Sequence, residues 1–249
     1  MSEPDSKKAE FEEKQEKEKA VWGVRGKRYG IYLLIVAVLG WALASYDFNL
    51  LVLAYPAVAQ SLHLTAVQVG AVMDSITAAS IIVPIVLGNM MDIYGRRVMW
   101  MTALTVTAVF TGFTSIVTNA YELAIVRLIA SSFSFSELGI SITIVNESVG
   151  PKVRGWLYSW VQGGWPLGVF LASAVYLSFI GFGWRMVFLI GVVPILMVII
   201  GRYFIKEPLR FEDIKKARKM YKEGKSLDEI KKELNYDVDL QELKKIPWS

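Results

Sequence analysis

Four ionisable side chains occur inside long apolar stretches of this chain, where an isolated charge is costly. Asp47, Asp74 and Glu137 are carboxylates, and Arg127 is a cation. A carboxylate in such a place can bind and release a proton, because burial favours its neutral form and a nearby cation favours its ionised form. An arginine can hold a carboxylate ionised or attract an anion. These residue types predict proton and anion handling inside a membrane.

Uncharged polar residues accompany these charges. In the fourth apolar stretch, serines recur with Arg127 at steps of three, four or seven residues, which predicts one polar helix face: Ser131, Ser134, Ser141 and Ser148. Asn49 lies near Asp47, and Gln162 begins the sequence QGGWPLG, whose glycines and proline weaken a helix. We expect Asn49 and Gln162 to donate hydrogen bonds to a substrate. The alternative is that these groups only bond neighbouring helices.

A second charged sequence, GNMMDIYGRR, joins two apolar stretches at a point where only a turn is needed. Gly88 and Gly95 are expected to permit close helix approach and a tight turn. Asp92 is expected to pair with an arginine or lie near a helix N-terminus. Arg96 and Arg97 follow at once. This sequence predicts electrostatic contacts at the membrane surface rather than catalysis.

The elements that must position these residues are membrane-spanning helices. The mean hydropathy is +0.41, and 54% of residues are hydrophobic. A spanning helix needs about 20 mainly apolar residues. Six stretches qualify, at about 29–55, 66–90, 98–117, 120–148, 155–180 and 184–205. The predicted fold is an all-α integral membrane bundle of six transmembrane helices.

Charge distribution divides the chain into three predicted regions. Residues 1–28 form a charged tail, 29–205 a transmembrane domain and 206–249 an amphipathic helical linker with a capping-box pattern at Ser226 and Glu229. The two outer regions hold twenty of the 27 Lys and Arg residues. Basic residues also mark the short loops on one side, around 91–97 and 149–154. The positive-inside rule therefore places both termini in the cytoplasm.

Composition also argues against several other classes of protein. His63, the single histidine, falls in a predicted external loop, and cysteine is absent, so a serine–histidine dyad, a metal site or haem ligation is not expected. There is no glycine-rich nucleotide loop, which argues against an ATP-driven pump. The net charge of +4 restates the lysine-rich tails and does not predict nucleic-acid binding. We expect no enzyme activity, cofactor or metal.

The sequence GNMMDIYGRR resembles the loop signature of the major facilitator superfamily, at the topological position where that family has it. The matching residues are Gly88, Asp92, Gly95, Arg96 and Arg97, whereas Ile93 replaces a frequent basic residue. Arg127 fits the family's arginine in the fourth helix, although Ser131 replaces its usual glycine. Glu147 with the following VGPKVRG, which contains Arg154, resembles the family's acidic helix end and Pro-x-x-Arg-Gly turn.

The sequences YDFNLLVL, QGGWPLG and GWRMVFLIGVVPILMVII look most like the metabolite–proton symporter branches that move sialate, aromatic acids and other organic anions. The resemblance implies a twelve-helix fold in two halves, of which this sequence supplies the N-terminal half. A second six-helix half is the implied partner. The implied activity is proton-coupled symport of a small organic acid or sugar-like metabolite across the cell membrane by alternating access.

Within this hypothesis Asp47 is the preferred proton carrier and Glu137 the next. The GNMMDIYGRR loop, together with Glu147 and Arg154, is implied to act as a cytoplasmic latch that opens during the cycle. The alternatives are a drug or metabolite antiporter, and a non-transporting membrane sensor or scaffold whose charged tail is a docking surface. An ion channel is disfavoured because no repeated pore loop occurs.

Overall fold

The computed structural model describes residues 26–202, 209–223, 225–226 and 229–230. The helices are α1 Gly26–Ser61, α2 Ala66–Tyr94, α3 Arg96–Thr114, α4 Ala120–Ser148, α5 Arg154–Gln162, α6 Gly164–Phe179, α7 Trp184–Arg202 and α8 Leu209–Lys222. A short 3-10 helix, Pro151–Val153, precedes α5, and a second one, Ile180–Phe182, follows α6. No strand occurs in the described ranges. Most of the predicted N-terminal tail, 1–25, and the end of the linker, 231–249, lie outside them.

Helices occupy all six predicted apolar stretches, the fifth being filled by α5 and α6 together. By length and composition, α1, α2, α4 and the segment Pro151–Phe182 can each cross a membrane. In α7 a shorter apolar stretch, Trp184–Val193, is found among the described residues. Helix α3 begins with two arginines and contains five threonines, so it is less apolar than its neighbours. The predicted all-α membrane bundle is confirmed.

Local signals explain where several helices begin and end. Thr65 caps α2, since its hydroxyl accepts from the backbone N–H of Gln68 at 3.3 Å while the Gln68 side chain accepts from the Thr65 N–H at 2.9 Å. Asn119 caps α4 through the N–H of Glu122 at 3.0 Å. Gly95 separates α2 from α3 with φ of 106°, a conformation that favours glycine. These caps fix the short turns of the bundle.

Helix α1 lies at the centre and packs against α4, α6 and α7. The contact with α6 is a backbone-to-backbone approach at Gly164 and Gly168. A Cβ at Gly164 would lie 2.5 Å from the carbonyl oxygen of Val38, and one at Gly168 would overlap the carbonyl oxygen of Ala42. Only glycine fits at these two positions.

The bundle has two ends, each with its own apolar cluster. The Gly95 end contains the α2–α3 and α4–α5 turns, and its cluster includes Leu33, Trp41 and Trp100. The His63 end contains the α1–α2, α3–α4 and α6–α7 turns, and its cluster includes Leu50 and Phe188. Both clusters are built around α1, so the polar groups described below are embedded in apolar packing.

Candidate functional site in the bundle core

A fully buried ion pair joins α1 to α4. The Nη1 atom of Arg127 donates to Asp47 Oδ1 at 3.1 Å, and Nη2 donates to Oδ2 at 2.9 Å. Both side chains have 0% relative exposure. Two parallel bonds between guanidinium and carboxylate form the bidentate geometry that arginine favours. Residues 80 positions apart are thus brought together at the centre of the core.

Neighbouring helices complete the surroundings of this pair. Thr111 on α3 donates a short hydrogen bond to Asp47 Oδ1. Arg127 Nη2 also donates to the backbone carbonyl of Asp47 at 3.3 Å and to Ser131 Oγ at 3.4 Å. The ring of Phe188 on α7 lies 5.7 Å from Arg127 Cζ, in cation–π contact. Arg127 Nε has no hydrogen-bond partner among the described residues.

Glu137 forms a second buried carboxylate site on α4, in the cluster of the Gly95 end. The indole Nε1 of Trp100 on α3 donates to Glu137 Oε1 at 2.6 Å, and Ser141 Oγ donates to the same oxygen at 2.7 Å. Glu137 has 0% relative exposure and Trp100 has 1%. The sequence does not predict the contact between Trp100 and Glu137, because a tryptophan in an apolar stretch usually packs against other apolar side chains.

The other predicted binding residues lie outside these two sites. Asn49 is half-buried and donates to Ser45 within its own helix, to the carbonyl at 2.8 Å and to Oγ at 3.2 Å. Gln162 is half-buried and donates to the Tyr158 hydroxyl at 2.9 Å. Asp74 is exposed on α2. The structure therefore brings Asp47 together with Arg127, but not with Asp74.

An aromatic cluster lies beside the break between α5 and α6. The ring of Trp165 is 5.0 Å from Trp41, 6.3 Å from Phe48 and 6.2 Å from Phe135, measured between centroids. Ser45 Oγ on α1 donates to the Trp165 carbonyl at 2.8 Å. Trp160 on α5 is exposed. Trp165 therefore packs between helices, whereas Trp160 lies on the surface.

The charged turn at the Gly95 end forms an ion-pair network. Arg96 Nε and Nη2 donate to the two carboxylate oxygens of Glu147, each at 3.1 Å, and Nη2 lies 2.9 Å from Asp92 Oδ1. The Arg96 side chain is buried, although Asp92 keeps 38% exposure. One arginine thus connects the end of α2, the start of α3 and the end of α4.

The remaining predicted residues of this turn have different surroundings. Arg97 is half-buried at the start of α3, and exposed Arg154 donates to the carbonyl of Val149 at 3.4 Å. A Cβ at Gly88 would meet no atom within 4 Å, so this glycine does not mediate a close approach within the described residues. Helix α8 reaches the network, because Arg218 Nη1 donates to the carbonyl of Asp92 at 3.2 Å.

Two buried carboxylates, one of them paired with an arginine, therefore lie inside an all-helical bundle whose long apolar helices can cross a membrane. The profile of the Major Facilitator Superfamily matches residues 25–248. The chain belongs to that family of membrane transporters, whose members are not enzymes.

Among its relatives, the sialic acid transporter NanX of Escherichia coli (strain K12) is 30% identical over 170 residues, which cover 67% of this chain and 41% of that protein. The niacin transporter NiaP of Acinetobacter baylyi (strain ATCC 33305 / BD413 / ADP1) is 26% identical over 167 residues, covering 67% and 38%. The matched part of this chain therefore spans less than half the length of each of these relatives.

A solved structure shares the fold. The proton:xylose symporter XylE from E. coli superposes with a TM-score of 0.64 at 18% sequence identity, over 84% of this chain and 52% of that one. The chain thus has the fold of about half of a major facilitator transporter, as the sequence predicted.

Proposed function

We propose that this chain is the N-terminal half of a secondary active transporter that couples movement of a small organic acid to the proton gradient by alternating access. The observation that carries the proposal is the fully buried pair Asp47–Arg127. A carboxylate paired with an arginine in an apolar core has two states, ionised and paired or protonated and released. Such a pair can link a proton to an anion.

Proton binding to Asp47 would neutralise the carboxylate and break its ion pair with Arg127. Arg127 keeps its charge in proteins, so the released guanidinium needs another counter-ion. A substrate carboxylate is a suitable replacement, and the Nε–H of Arg127, without an acceptor in the described residues, supplies a further donor. Proton and anion would then be bound together and released together. Loss of the proton restores the original pair.

The other polar residues have supporting roles in this proposal. Glu137 is the second candidate for proton binding, oriented by Trp100 and Ser141. Asn49, Gln162 and Asp74 are half-buried or exposed, so they remain reachable by a substrate or by the second half. These roles follow from where the groups lie and from the donors and acceptors they carry.

The Arg96–Glu147–Asp92 network is proposed as a cytoplasmic latch, with Gly88, Gly95, Arg97 and Arg154 as the rest of its motif. Bidentate bonds from a buried arginine can hold α3 and α4 together while that side is closed. Because basic residues mark the cytoplasmic side, we place the Gly95 end and both termini in the cytoplasm, in the cell membrane. Opening would require this network to separate from contacts to the second half.

An organic acid is the favoured substrate class because two relatives are described as transporters of sialic acid and niacin, which are carboxylic acids. The cation at Arg127 suits the same chemistry. The required partners are the lipid bilayer, protons and a second six-helix half. We retain the proposed division into the 1–28 tail, the 29–205 transmembrane domain and the 206–249 linker.

Contacts of α8 support a connector rather than a free docking tail for a sensor. Ile214 has 7% exposure and Ala217 has 0%, and Arg218 bonds to the carbonyl of Asp92. This face of α8 is packed against the chain itself. A helix presented to a signalling partner would keep its apolar face available.

Uptake in proteoliposomes by the complete two-half transporter tests the proposal. We expect Asp47→Asn to abolish uptake driven by a pH gradient, because an amide cannot take up the proton. Exchange of labelled for unlabelled substrate at equal pH needs no net proton movement and should persist. Glu122→Gln, at an exposed carboxylate of α4 outside both buried sites, serves as the control and should retain uptake driven by the pH gradient. If Asp47→Asn and Glu137→Gln both retain gradient-driven uptake, the coupling assignment is wrong.

A further inference from the structure

We propose that Thr111 is a positioning residue that holds the Asp47 carboxyl in both of its protonation states. The proposal rests on the proposed proton-carrying role of Asp47 and adds a residue of α3 to that site. Thr111 has 0% relative exposure, and its hydroxyl donates to Asp47 Oδ1 across the α1–α3 contact. Sequence patterns did not single it out.

The hydroxyl of Thr111 is used differently from those of the other threonines in α3. In an apolar helix, the hydroxyl of a threonine usually donates a hydrogen bond to the backbone carbonyl four residues earlier. Four threonines of α3 make that bond: Thr102 to Val98 at 2.9 Å, Thr105 to Met101 at 2.8 Å, Thr107 to Ala103 at 2.9 Å and Thr114 to Phe110 at 3.0 Å. The hydroxyl of Thr111 is turned to a carboxylate on another helix instead.

The chemistry of the two partners of Asp47 explains why a hydroxyl is useful there. Arginine has five N–H donors and no acceptor, so Arg127 can hold only the ionised carboxylate in its bidentate geometry. A threonine hydroxyl both donates and accepts. It can donate to ionised Asp47 and can accept from the O–H of protonated Asp47 by rotating its hydrogen. Thr111 therefore keeps the carboxyl in place when Arg127 is released.

The charged and titratable groups that face Asp47 come from two helices. Arg127 approaches from α4. Tyr46, which precedes Asp47 on α1, is fully buried. Helix α3 contributes the neutral Thr111, while α7 places Phe188 against Arg127. Substitution of Thr111 therefore alters the hydrogen bonding of Asp47 without changing the number of charges around it.

The decisive variant is Thr111→Val, which has nearly the same shape and no hydroxyl. A hydrogen bond to an ionised carboxylate is about twice as strong as one between neutral groups, so its loss disfavours the ionised form more. We expect the pH midpoint of proton binding at Asp47 to be higher in Thr111→Val than in the wild type. Thr111→Ser should restore the wild-type midpoint. Thr114→Val removes another fully buried hydroxyl of α3 and should leave the midpoint unchanged.

The midpoint can be measured by pH-difference infrared spectroscopy of the purified chain in lipid nanodiscs. The carboxyl band assigned to Asp47 is the one that disappears in Asp47→Asn. If the wild type has no carboxyl band that Asp47→Asn lacks, the proposed function itself is wrong. A band that is present, but titrates identically in wild type and Thr111→Val, would overturn the role of Thr111 alone. An equal shift in Thr114→Val would mean a general effect of hydroxyl loss and would also overturn it.

Transport by the complete transporter gives an independent readout. In Thr111→Val, the pH dependence of uptake should shift in the same direction, with a larger effect on turnover than on the KM for substrate. Loss of stability alone would lower the amount of active protein without moving the pH profile. An unshifted profile with normal turnover contradicts the proposal.

Discussion

At the level of single residues, the buried Asp47–Arg127 pair is expected to contribute little net stability. Removing two charges from water costs several kcal/mol, and the attraction between them often does no more than offset that cost. Breaking such a pair is different, because one charge remains buried without a partner. Loss of one charge is therefore expected to cost more stability than loss of both.

This asymmetry gives a stability prediction. Arg127→Met leaves Asp47 buried and unpaired, and we expect the free energy of unfolding to fall by about 3–5 kcal/mol. The double variant Asp47→Leu/Arg127→Met removes both charges and should recover most of that loss. Reversible unfolding of the purified chain in mixed detergent micelles measures both values. A double variant as unstable as Arg127→Met alone would show that the charge is not the cause.

The Trp100–Glu137 bond gives a second prediction at this scale. Trp100→Phe keeps an aromatic ring but removes the N–H that donates to Glu137 at 2.6 Å. Leaving a buried carboxylate without one of its donors should lower the free energy of unfolding by about 1–3 kcal/mol. The exposed Trp156 provides the matched control, and Trp156→Phe should change stability by less than about 0.5 kcal/mol. Equal effects of the two substitutions would contradict the role given to the indole N–H.

Sequence could identify the ionisable residues of the site but not their pairing. Asp47, Arg127 and Glu137 are conspicuous because charges are rare in apolar stretches. The sequence does not show which of the carboxylates Arg127 holds, whereas in the structure its bidentate bonds go to Asp47. Thr111 and Trp100 were missed because hydroxyls and indoles are common in membrane helices. Only the three-dimensional contact distinguishes them.

At the level of helices, the α1–α6 contact gives a comparison of two glycines. Gly168→Ala should lower the free energy of unfolding by about 1–3 kcal/mol or more, because its Cβ overlaps the α1 backbone. Gly88→Ala places its Cβ in open space on α2 and should raise stability by about 0.5–1 kcal/mol through helix propensity. Thermal unfolding of the purified chain measures both. Effects of the same sign would contradict this contact geometry.

Helix positions were well predicted from sequence, since about 20 apolar residues between charged or glycine-containing turns leave few alternatives in a membrane. The predicted fourth stretch, 120–148, has the same bounds as α4. The helix-weakening sequence QGGWPLG does mark a break, located at Gly163. Close approach was assigned to Gly88, but in the described residues it occurs at Gly164 and Gly168. The sequence of one helix does not show which residues of another helix pack against its glycines.

At the level of the whole molecule, membrane orientation can be tested directly because the chain has no cysteine. We expect a single cysteine at Lys152→Cys, at the Gly95 end, to react with a membrane-impermeant maleimide only after cells are opened. Thr118→Cys, in the α3–α4 turn, should react in intact cells. Both residues are exposed, so access rather than burial decides the labelling. The reverse pattern would place the termini outside.

The overall architecture was predictable because the motif in the α2–α3 turn and six apolar stretches specify a family and a half-length bundle. Substrate selectivity depends on which side chains converge on a substrate, and a sequence alone does not show those contacts. The sequence therefore predicts the helical bundle and its buried ionisable residues better than it predicts substrate selectivity.

The break at Gly163 has a mechanical consequence for the fifth membrane segment. On one side of it, α6 is fixed to α1 at Gly164 and Gly168, where the two backbones touch. On the other side, the nine residues of α5 present mainly exposed side chains. The segment can therefore bend at Gly163, where the two helices meet. A tilt of α5 would alter the shape of the Gly95 end while α6 stays packed against α1.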